Sequence, residues 1–232
     1  MIKRVALKDL KVMWASPVPY VVGALFHVLL GLLYVSQLES RQQAVIQPMF
    51  PLAAFLLLLT VPVLAMRAFA EEAKSGSLDL LLAVPVPRWV LVTGKWLATW
   101  ITALGVLAPS LVFVLILHLF GNPESGPIEA GYLGLVLLTA ALAGAGVLAS
   151  SLTTSQPLAA LVALFATMLL WFAHVGSDTI STSTVLAKFS LSERLRTFAG
   201  GAIDSGDLWF FVLLTAGLLV VASAVLAARR LR

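Results

Sequence analysis

Residues 71–98 read EEAKSGSLDLLLAVPVPRWVLVTGKWLA and separate two long apolar stretches. This segment holds the acids Glu71, Glu72 and Asp79 together with three basic residues, in a chain that is otherwise poor in charge. Each flanking stretch is long enough to cross about 30 Å of hydrocarbon, which takes roughly 20 helical residues. The segment is therefore predicted to be a short polar connection between two membrane-spanning helices.

The composition of the whole chain agrees with a membrane protein. Of its 232 residues, 60% are hydrophobic and only 11% are charged, whereas soluble domains average about 25% charged residues. The chain has no cysteine, which excludes disulfides. Its net charge of +4 is better explained by basic residues that mark the cytoplasmic side of a membrane than by binding to nucleic acid. No nucleic-acid partner is predicted.

Six apolar stretches reach the length of a membrane span. They are separated by polar turns or by turns that contain glycine and proline. The predicted spans are residues 17–38, 48–70, 91–120, 131–153, 157–175 and 208–228. Pro62 and Pro109 fall inside the second and third spans and are expected to kink them. The chain is thus predicted to be a single all-α, polytopic transmembrane domain over residues 1–232.

Lysine and arginine residues are divided unequally between the two ends of these spans. One side carries Lys3, Arg4, Lys8, Lys11, Arg67, Lys74, Arg88, Lys95, Arg229, Arg230 and Arg232. The other carries Arg41, Lys188, Arg194 and Arg196. The positive-inside rule makes the first side cytoplasmic. Both termini and residues 71–95 are therefore predicted in the cytoplasm and 176–207 outside, in a multi-pass protein of the cell (inner or plasma) membrane.

Two short amphipathic helices are predicted beside the spans. In residues 1–15, Arg4, Lys8 and Lys11 share one helical face, which is typical of a helix lying in the membrane interface; a basic tail that only fixes orientation is the alternative. In the outer segment 176–207, residues 190–193 (SLSE) fit a capping box before a helix that Gly200 and Gly201 would end. The apolar face of that helix consists of Leu191, Leu195 and Phe198.

The sequence lacks the residues that several classes of activity require. No aspartate or glutamate lies centrally in a predicted span, although ion-coupled carriers usually need such groups. Gly94-Lys95 is followed by Trp96 and lacks the upstream glycine of a phosphate-binding loop. No metal-ligand spacing or activated nucleophile occurs. The chain is predicted to be neither an enzyme nor a holder of a cofactor or metal, and any ATP that drives it would be hydrolysed by another chain.

The fourth predicted span carries small residues at intervals of four. Ala141, Ala145 and Ala149 form this row, with Gly144 and Gly146 beside it. A row of small side chains lets two helix backbones approach closely. The partner could be a helix of the same bundle or a second subunit, and the sequence leaves both open.

The charged segment itself can be read residue by residue. Glu71, Glu72 and Lys74 extend the second span into water, and Ser75-Gly76 breaks it. Ser77 can then cap a short helix that the two prolines Pro85 and Pro87 would stop. This helix contains Leu78, Asp79, Leu80, Leu81 and Leu82. Its leucines could fill a groove on another protein or rest on lipid.

The same segment resembles the signature of ABC-2 type permeases, the membrane subunits of one branch of ATP-binding cassette exporters. The shared pattern is EExxxG[ST]x[DE]LLLxxP followed by GK, and the likeness is closest to gliding-motility-type (GldF-like) permeases. The resemblance implies that the segment is a coupling helix that contacts an ATPase and that residues 1–15 are the elbow helix. The implied ATPase-coupling residues are Glu71, Glu72, Lys74, Gly76, Ser77, Leu78, Asp79, Leu80, Leu81, Leu82, Pro85 and Arg88.

The resemblance also implies partners. Two ABC ATPase subunits, which would hold ATP and Mg²⁺, would bind below a pair formed with a second copy or a related permease, and an auxiliary or extracytoplasmic subunit could join them. The implied function is an exporter that couples ATP hydrolysis to movement of a substrate across the membrane. The alternative is a complex of the motility or maturation type that transmits force or supports assembly and moves no solute through this subunit.

Overall fold

The computed structural model describes residues 1–41, 45–77, 86–120, 124–174 and 188–229. Within these ranges every regular element is helical. The helices are α1 (Ile2–Ala15), α2 (Val18–Arg41), α3 (Met49–Ala65), α4 (Arg67–Lys74), α5 (Arg88–Leu107), α6 (Leu111–Phe120), α7 (Ser125–Leu152), α8 (Gln156–Trp171), α9 (Leu191–Ala199) and α10 (Ser205–Arg229). The all-α membrane fold predicted from the sequence is confirmed.

Within the described ranges, five stretches are long and apolar enough to cross a membrane. They are Val18–Leu38, Met49–Lys74, Arg88–Leu119, Ser125–Leu152 and Ser205–Ala228. The predicted span 157–175 corresponds to α8, which is apolar but has only 16 residues, and 16 residues rise about 24 Å. The count of six spans therefore stays a prediction. In the third stretch, Pro109 lies in a 3₁₀ turn, Ala108–Ser110, between α5 and α6.

The fourth span predicted from the sequence, α7, forms the centre of the bundle. Of its most apolar window, 78% is buried, against 22% for the windows in α2 and α10. Ala141, Ala145 and Ala149 are 2%, 8% and 3% exposed, so helices of the same chain cover this row of small residues. The outer faces of α2 and α10 are left to lipid or to another subunit.

Both ends of the described chain lie at the same end of the bundle. Ala222 and Leu226, close to the end of α10, pack with Phe69 of α4 and Val92 of α5. Helix α1 also packs on α5, where a Cβ atom added at Gly94 would lie 2.7 Å from Val5 Cγ1. Which face of the membrane this end occupies stays a prediction.

The second span is interrupted near Pro62, and a serine of α7 bonds to the interruption. Helix α3 ends at Ala65 and α4 begins at Arg67, so the first N–H groups of α4 need partners from elsewhere. Ser150 Oγ accepts hydrogen bonds from the N–H groups of Phe69 and Ala70, both at 2.9 Å, and donates to the carbonyl of Met66 at 3.0 Å. One buried hydroxyl therefore satisfies three backbone groups.

We expect Ser150→Ala to lower the free energy of unfolding by about 2 kcal/mol, since buried groups left without partners cost roughly 1–3 kcal/mol. Ser151→Ala is the matched control, because Ser151 is equally buried but its Oγ donates only to Leu148 of its own helix. Thermal unfolding of the detergent-solubilised protein compares the two. Equal losses in the two variants would contradict the role given to Ser150.

At the opposite end of the bundle, α9 is the short amphipathic helix expected before the last span. Leu191, Leu195 and Phe198 are at most 1% exposed. The helix ends at Ala199, and Gly201 follows in the left-handed region with a φ of 88°, a conformation that glycine adopts without steric cost. Part of the surrounding outer segment, residues 175–187, lies outside the described residues.

The predicted capping box at the start of α9 is wrong. Ser190 stands at the N-cap, but its side chain makes no capping hydrogen bond. Its Oγ donates instead to the carbonyl of Trp171 at 3.1 Å, and Ser192 Oγ donates to the same carbonyl at 2.9 Å. Carbonyls at the C-terminal end of a helix lack partners within it. The end of α8 therefore receives the hydroxyl that the sequence pattern had assigned to α9.

Candidate functional site at the ion-paired end of the bundle

The charged residues of the opening segment begin at the end of α4. Glu71, Glu72 and Lys74 lie in its last turns, and Gly76 follows with a φ of 73°. This left-handed glycine breaks the helix where the sequence predicted a break. Ser77 Oγ lies 2.8 Å from Ser75 Oγ. The predicted coupling residues Leu78, Asp79, Leu80, Leu81, Leu82 and Pro85 lie outside the described residues, and Arg88 begins α5.

Arg67 joins α4 to the connection between α1 and α2. Its Nε and Nη2 donate to the two carboxylate oxygens of Glu71 at 2.8 and 3.0 Å, which is the bidentate geometry that suits a guanidinium. Its Nη1 donates to Ser16 Oγ at 2.8 Å. All three donor nitrogens of the guanidinium are thereby engaged, and the side chain holds two segments of the chain together.

Lys95 is the central residue of a second and more deeply buried ion-pair cluster. Its Nζ lies 2.9 Å from Glu72 Oε1 and 3.0 Å from Asp9 Oδ2, although the residue is only 4% exposed. The ammonium also lies 5.1 Å from the centre of the Phe69 ring, within the range of a cation–π interaction. One cation therefore connects α1, α4 and α5.

The proposed elbow helix, α1, packs along α5 over much of its length. Val5 contacts α5 at Gly94, and Trp14 contacts it at Gly105, where an added Cβ atom would lie 2.5 Å from the indole ring. Both contacts advance in the same direction along the two helices. Arg4, Lys8 and Lys11 are exposed on the remaining surface of α1. The position of this helix relative to lipid stays a prediction.

Three residues of this end had no assigned role in the sequence. Asp9, Ser16 and Lys95 complete the two clusters, and two of them gave a signal that could have been used. Lys95 lies eight residues into an apolar helix, where a buried charge requires a partner, and Asp9 is an acid in an otherwise basic helix. Which acid meets which base depends on packing between helices far apart in the sequence.

The charged side chains of this site are paired with one another. Its acids are engaged with Lys95 and Arg67, and no group of three or more His, Cys, Asp or Glu residues suited to a metal ion occurs among the described residues. The ion pairs hold the middle of α1, the last turn of α4 and the first half of α5 to one another.

The sequence of the chain matches a known protein family. A family model described as ABC-2 family transporter protein matches residues 5–189, a range that includes both ion-pair clusters and the central helix α7. A comparison with curated proteins found no match. Because the match covers most of the sequence, the chain belongs to the ABC-2 family of transporter proteins and is a multi-pass membrane permease.

Proposed function

We propose that this chain is the permease subunit of an ATP-binding cassette exporter that is driven by ATP hydrolysis on a separate ATPase subunit. Membership of the ABC-2 family supports this proposal. The observation that carries it is the buried Lys95, which joins α1, α4 and α5 and lies in the same 71–95 segment of the sequence as the leucine-rich residues. A segment that receives force from a partner needs such a rigid connection to the spans.

The proposed direction of coupling starts at the ATPase. Residues 77–84 form the coupling helix, and Leu81 and Leu82 fill an apolar groove on the ATPase surface. When the ATPases close on ATP, the segment moves the lower end of α4 and the start of α5. Because Lys95 pairs with both Asp9 and Glu72, α1 moves with them, and the upper parts of the spans rearrange around α7.

The charged end of the bundle faces the cytoplasm in this proposal. The described basic residues at this end include Lys3, Arg4, Lys8 and Lys11 on α1, in accord with the positive-inside rule. ATP and Mg²⁺ would then be held by the ATPase on this side. Within the ABC-2 family, we place the chain nearest to the GldF-like permeases because of the motif in residues 71–95.

A second permease copy or a related permease completes the proposed complex. The outer faces of α2 and α10 carry exposed apolar side chains, among them Leu25, Leu32, Trp209 and Leu213. Exposed apolar surface of this extent is stable against lipid or against another transmembrane helix. An auxiliary subunit on the outer side would meet the surface that includes α9.

Leu81→Asp tests the ATPase contact. We expect the variant permease to insert normally and to lose the ATPase during affinity purification, because an ionised carboxylate in an apolar groove costs several kcal/mol. Leu81→Met is the matched control, since it retains an apolar side chain of similar volume. The measurement is the amount of ABC ATPase, recognised by its nucleotide-binding motifs, that copurifies with each variant.

The outcomes separate the proposal from its alternatives. Loss of the ATPase from Leu81→Asp alone supports the coupling-helix assignment. Retention of the ATPase by both variants would show that this leucine does not face it, and absence of any ATPase from the wild-type complex would contradict the exporter function itself. If an ATPase copurifies and turns over ATP but no solute stimulates it in liposomes, the force-transmitting or assembly-supporting function is favoured.

A further inference from the structure

A cavity of about 280 Å³ opens between α1, the start of α2, α4 and α5 at the ion-paired end. Its volume is near the lower end of the range for small-molecule sites. Arg67, Glu72 and Lys95 lie in its wall, and so do Val12 and Leu64. The cavity thus has both charged and apolar walls. The ion pairs and the family match do not account for an open space here.

The polarity of the cavity changes along its length in the same direction on two walls. On the α1 side the wall runs from Lys8 and Asp9 to Val12 and then to Val18, where the first span begins. The opposite wall, which follows α3 and α4, runs from Leu64 toward the charged end of α4. The chain runs in opposite directions along the two walls. Asp9 contacts Lys95, which also contacts Glu72, and one or two turns further along the chain Ser16 contacts Arg67, which precedes Glu72 in α4.

The cavity therefore has most of its charge at the end of Asp9, Glu72 and Lys95, holds the Arg67–Glu71 pair one or two turns further on, and is apolar beyond that pair, at Leu64 and Val18. A phospholipid has the same profile, with its headgroup at one end and its acyl chains at the other. An acyl chain could follow the apolar wall along the span that begins at Val18, whereas a wholly polar soluble ligand could not. The gradient favours a lipid of the leaflet at this end of the bundle.

Charge complementarity selects the headgroup. The charged residues that line the cavity balance each other, since three are basic (Lys8, Arg67 and Lys95) and three are acidic (Asp9, Glu71 and Glu72). A site of balanced charge suits a zwitterion better than a net anion. Within the described part of the chain Lys8 makes no ion pair, so its ammonium is available to a phosphate.

Two of the acids also have unused hydrogen-bonding capacity. Glu72 Oε2 is buried and makes no hydrogen bond, and the contact of Asp9 Oδ2 with Lys95 is an ion pair without hydrogen-bond geometry. A buried acceptor without a donor is costly. Glu72 lines the cavity, and the last side-chain torsion of glutamate is soft, so Oε2 could turn toward a donor bound there. An ammonium with N–H groups would supply the missing donor.

We propose that this cavity binds one phospholipid with a primary-ammonium zwitterionic headgroup, a phosphatidylethanolamine, in the leaflet at the ion-paired end. The ammonium donates to Glu72 and Asp9, the phosphate accepts from Lys8, and the start of the acyl chains lies against Val12 and Leu64. A phosphatidylcholine has the same charges but no N–H donor. The site requires membrane insertion but neither ATP nor an ATPase.

The test uses the full chain in nanodiscs with equal amounts of phosphatidylethanolamine and phosphatidylcholine of identical acyl chains. Native mass spectrometry then measures which lipid stays bound. We expect about a tenfold preference for phosphatidylethanolamine, the effect of one charge-assisted hydrogen bond. Val12→Phe fills the cavity without changing its charges and should abolish the preference, while Leu7→Phe on the same helix, outside the cavity lining, should retain it.

A second pair of variants tests the phosphate contact. Lys8→Gln should lower retention of phosphatidylethanolamine, and Lys3→Gln, which removes an exposed charge outside the cavity, should not. Equal retention of the two lipids by the wild type, or a preference that survives Val12→Phe, would overturn the proposal. Displacement of the bound lipid by an equal concentration of soluble phosphoethanolamine would overturn the assignment to a lipid.

Discussion

Lys95→Met is expected to lower the free energy of unfolding by about 3 kcal/mol, the lower end of the roughly 3–5 kcal/mol that follows removal of one partner from a buried ion pair. The variant leaves the carboxylates of Asp9 and Glu72 near each other without their shared cation. These side chains are 15% and 20% exposed, against 5% for Lys95. Their residual exposure places the expected loss at the lower end of the range.

Two further variants define the cause of that loss. Lys74→Met removes an exposed lysine at the end of α4 and should change stability by no more than about 0.5 kcal/mol. The triple variant Asp9→Asn, Glu72→Gln, Lys95→Met removes all three charges and should recover most of the lost stability, because no uncompensated charge remains. Thermal unfolding in detergent measures each. A triple variant as unstable as Lys95→Met would mean that Lys95 contributes through packing and not through its charge.

The helices could be predicted from the sequence because length and composition alone decide them. Apolar stretches of about 20 residues have few stable forms in a membrane other than a helix. The break after α4 was also predictable, since Ser75 and Gly76 follow directly on Lys74, the last charged residue of that helix. Whether residues 157–175 form a complete span could not be decided from the sequence. Composition does not define where a helix ends, and α8 is shorter than a full span.

The ion-paired end could be predicted only in part. Glu71 and Glu72 were identified from the motif, but the partners of Glu72 were not, because Asp9 and Lys95 are brought to it by the packing of α1 on α5. The local pattern at Ser190 misled for a related reason. The hydroxyl of Ser190 could bond either to the first N–H groups of α9 or to a carbonyl of another helix. In the folded chain it donates to the carbonyl of Trp171 at the end of α8.

The row of small residues on α7 correctly predicted close helix packing but did not identify the partner helix. A close approach lies beside the row, at Gly146, where an added Cβ atom would overlap the Cβ atom of Ala65 in α3. Ala65 is fully buried, and Ser150 bonds to the backbone just beyond it, at Met66.

Gly146→Val is therefore expected to destabilise the bundle by about 3 kcal/mol or more, at or above the upper end of the usual cost of overpacking. The atom in the way is the Cβ of Ala65, which moves only with its backbone, so α3 and α7 must separate. Separation would also lengthen the hydrogen bonds of Ser150 to α4. Thermal unfolding and the yield of monodisperse protein measure the effect.

The Gly146 prediction has a control and a reciprocal test within the same chain. Gly217 of α10 has no atom within 4 Å of an added Cβ, so Gly217→Ala should be neutral or slightly stabilising, given the higher helix propensity of alanine. Gly146→Ala should be destabilising, and adding Ala65→Gly should restore much of the loss, because the pair then has one methyl group at the crossing again. If Gly146→Ala alone is as stable as the wild type, the two helices are not held at this distance by the glycine.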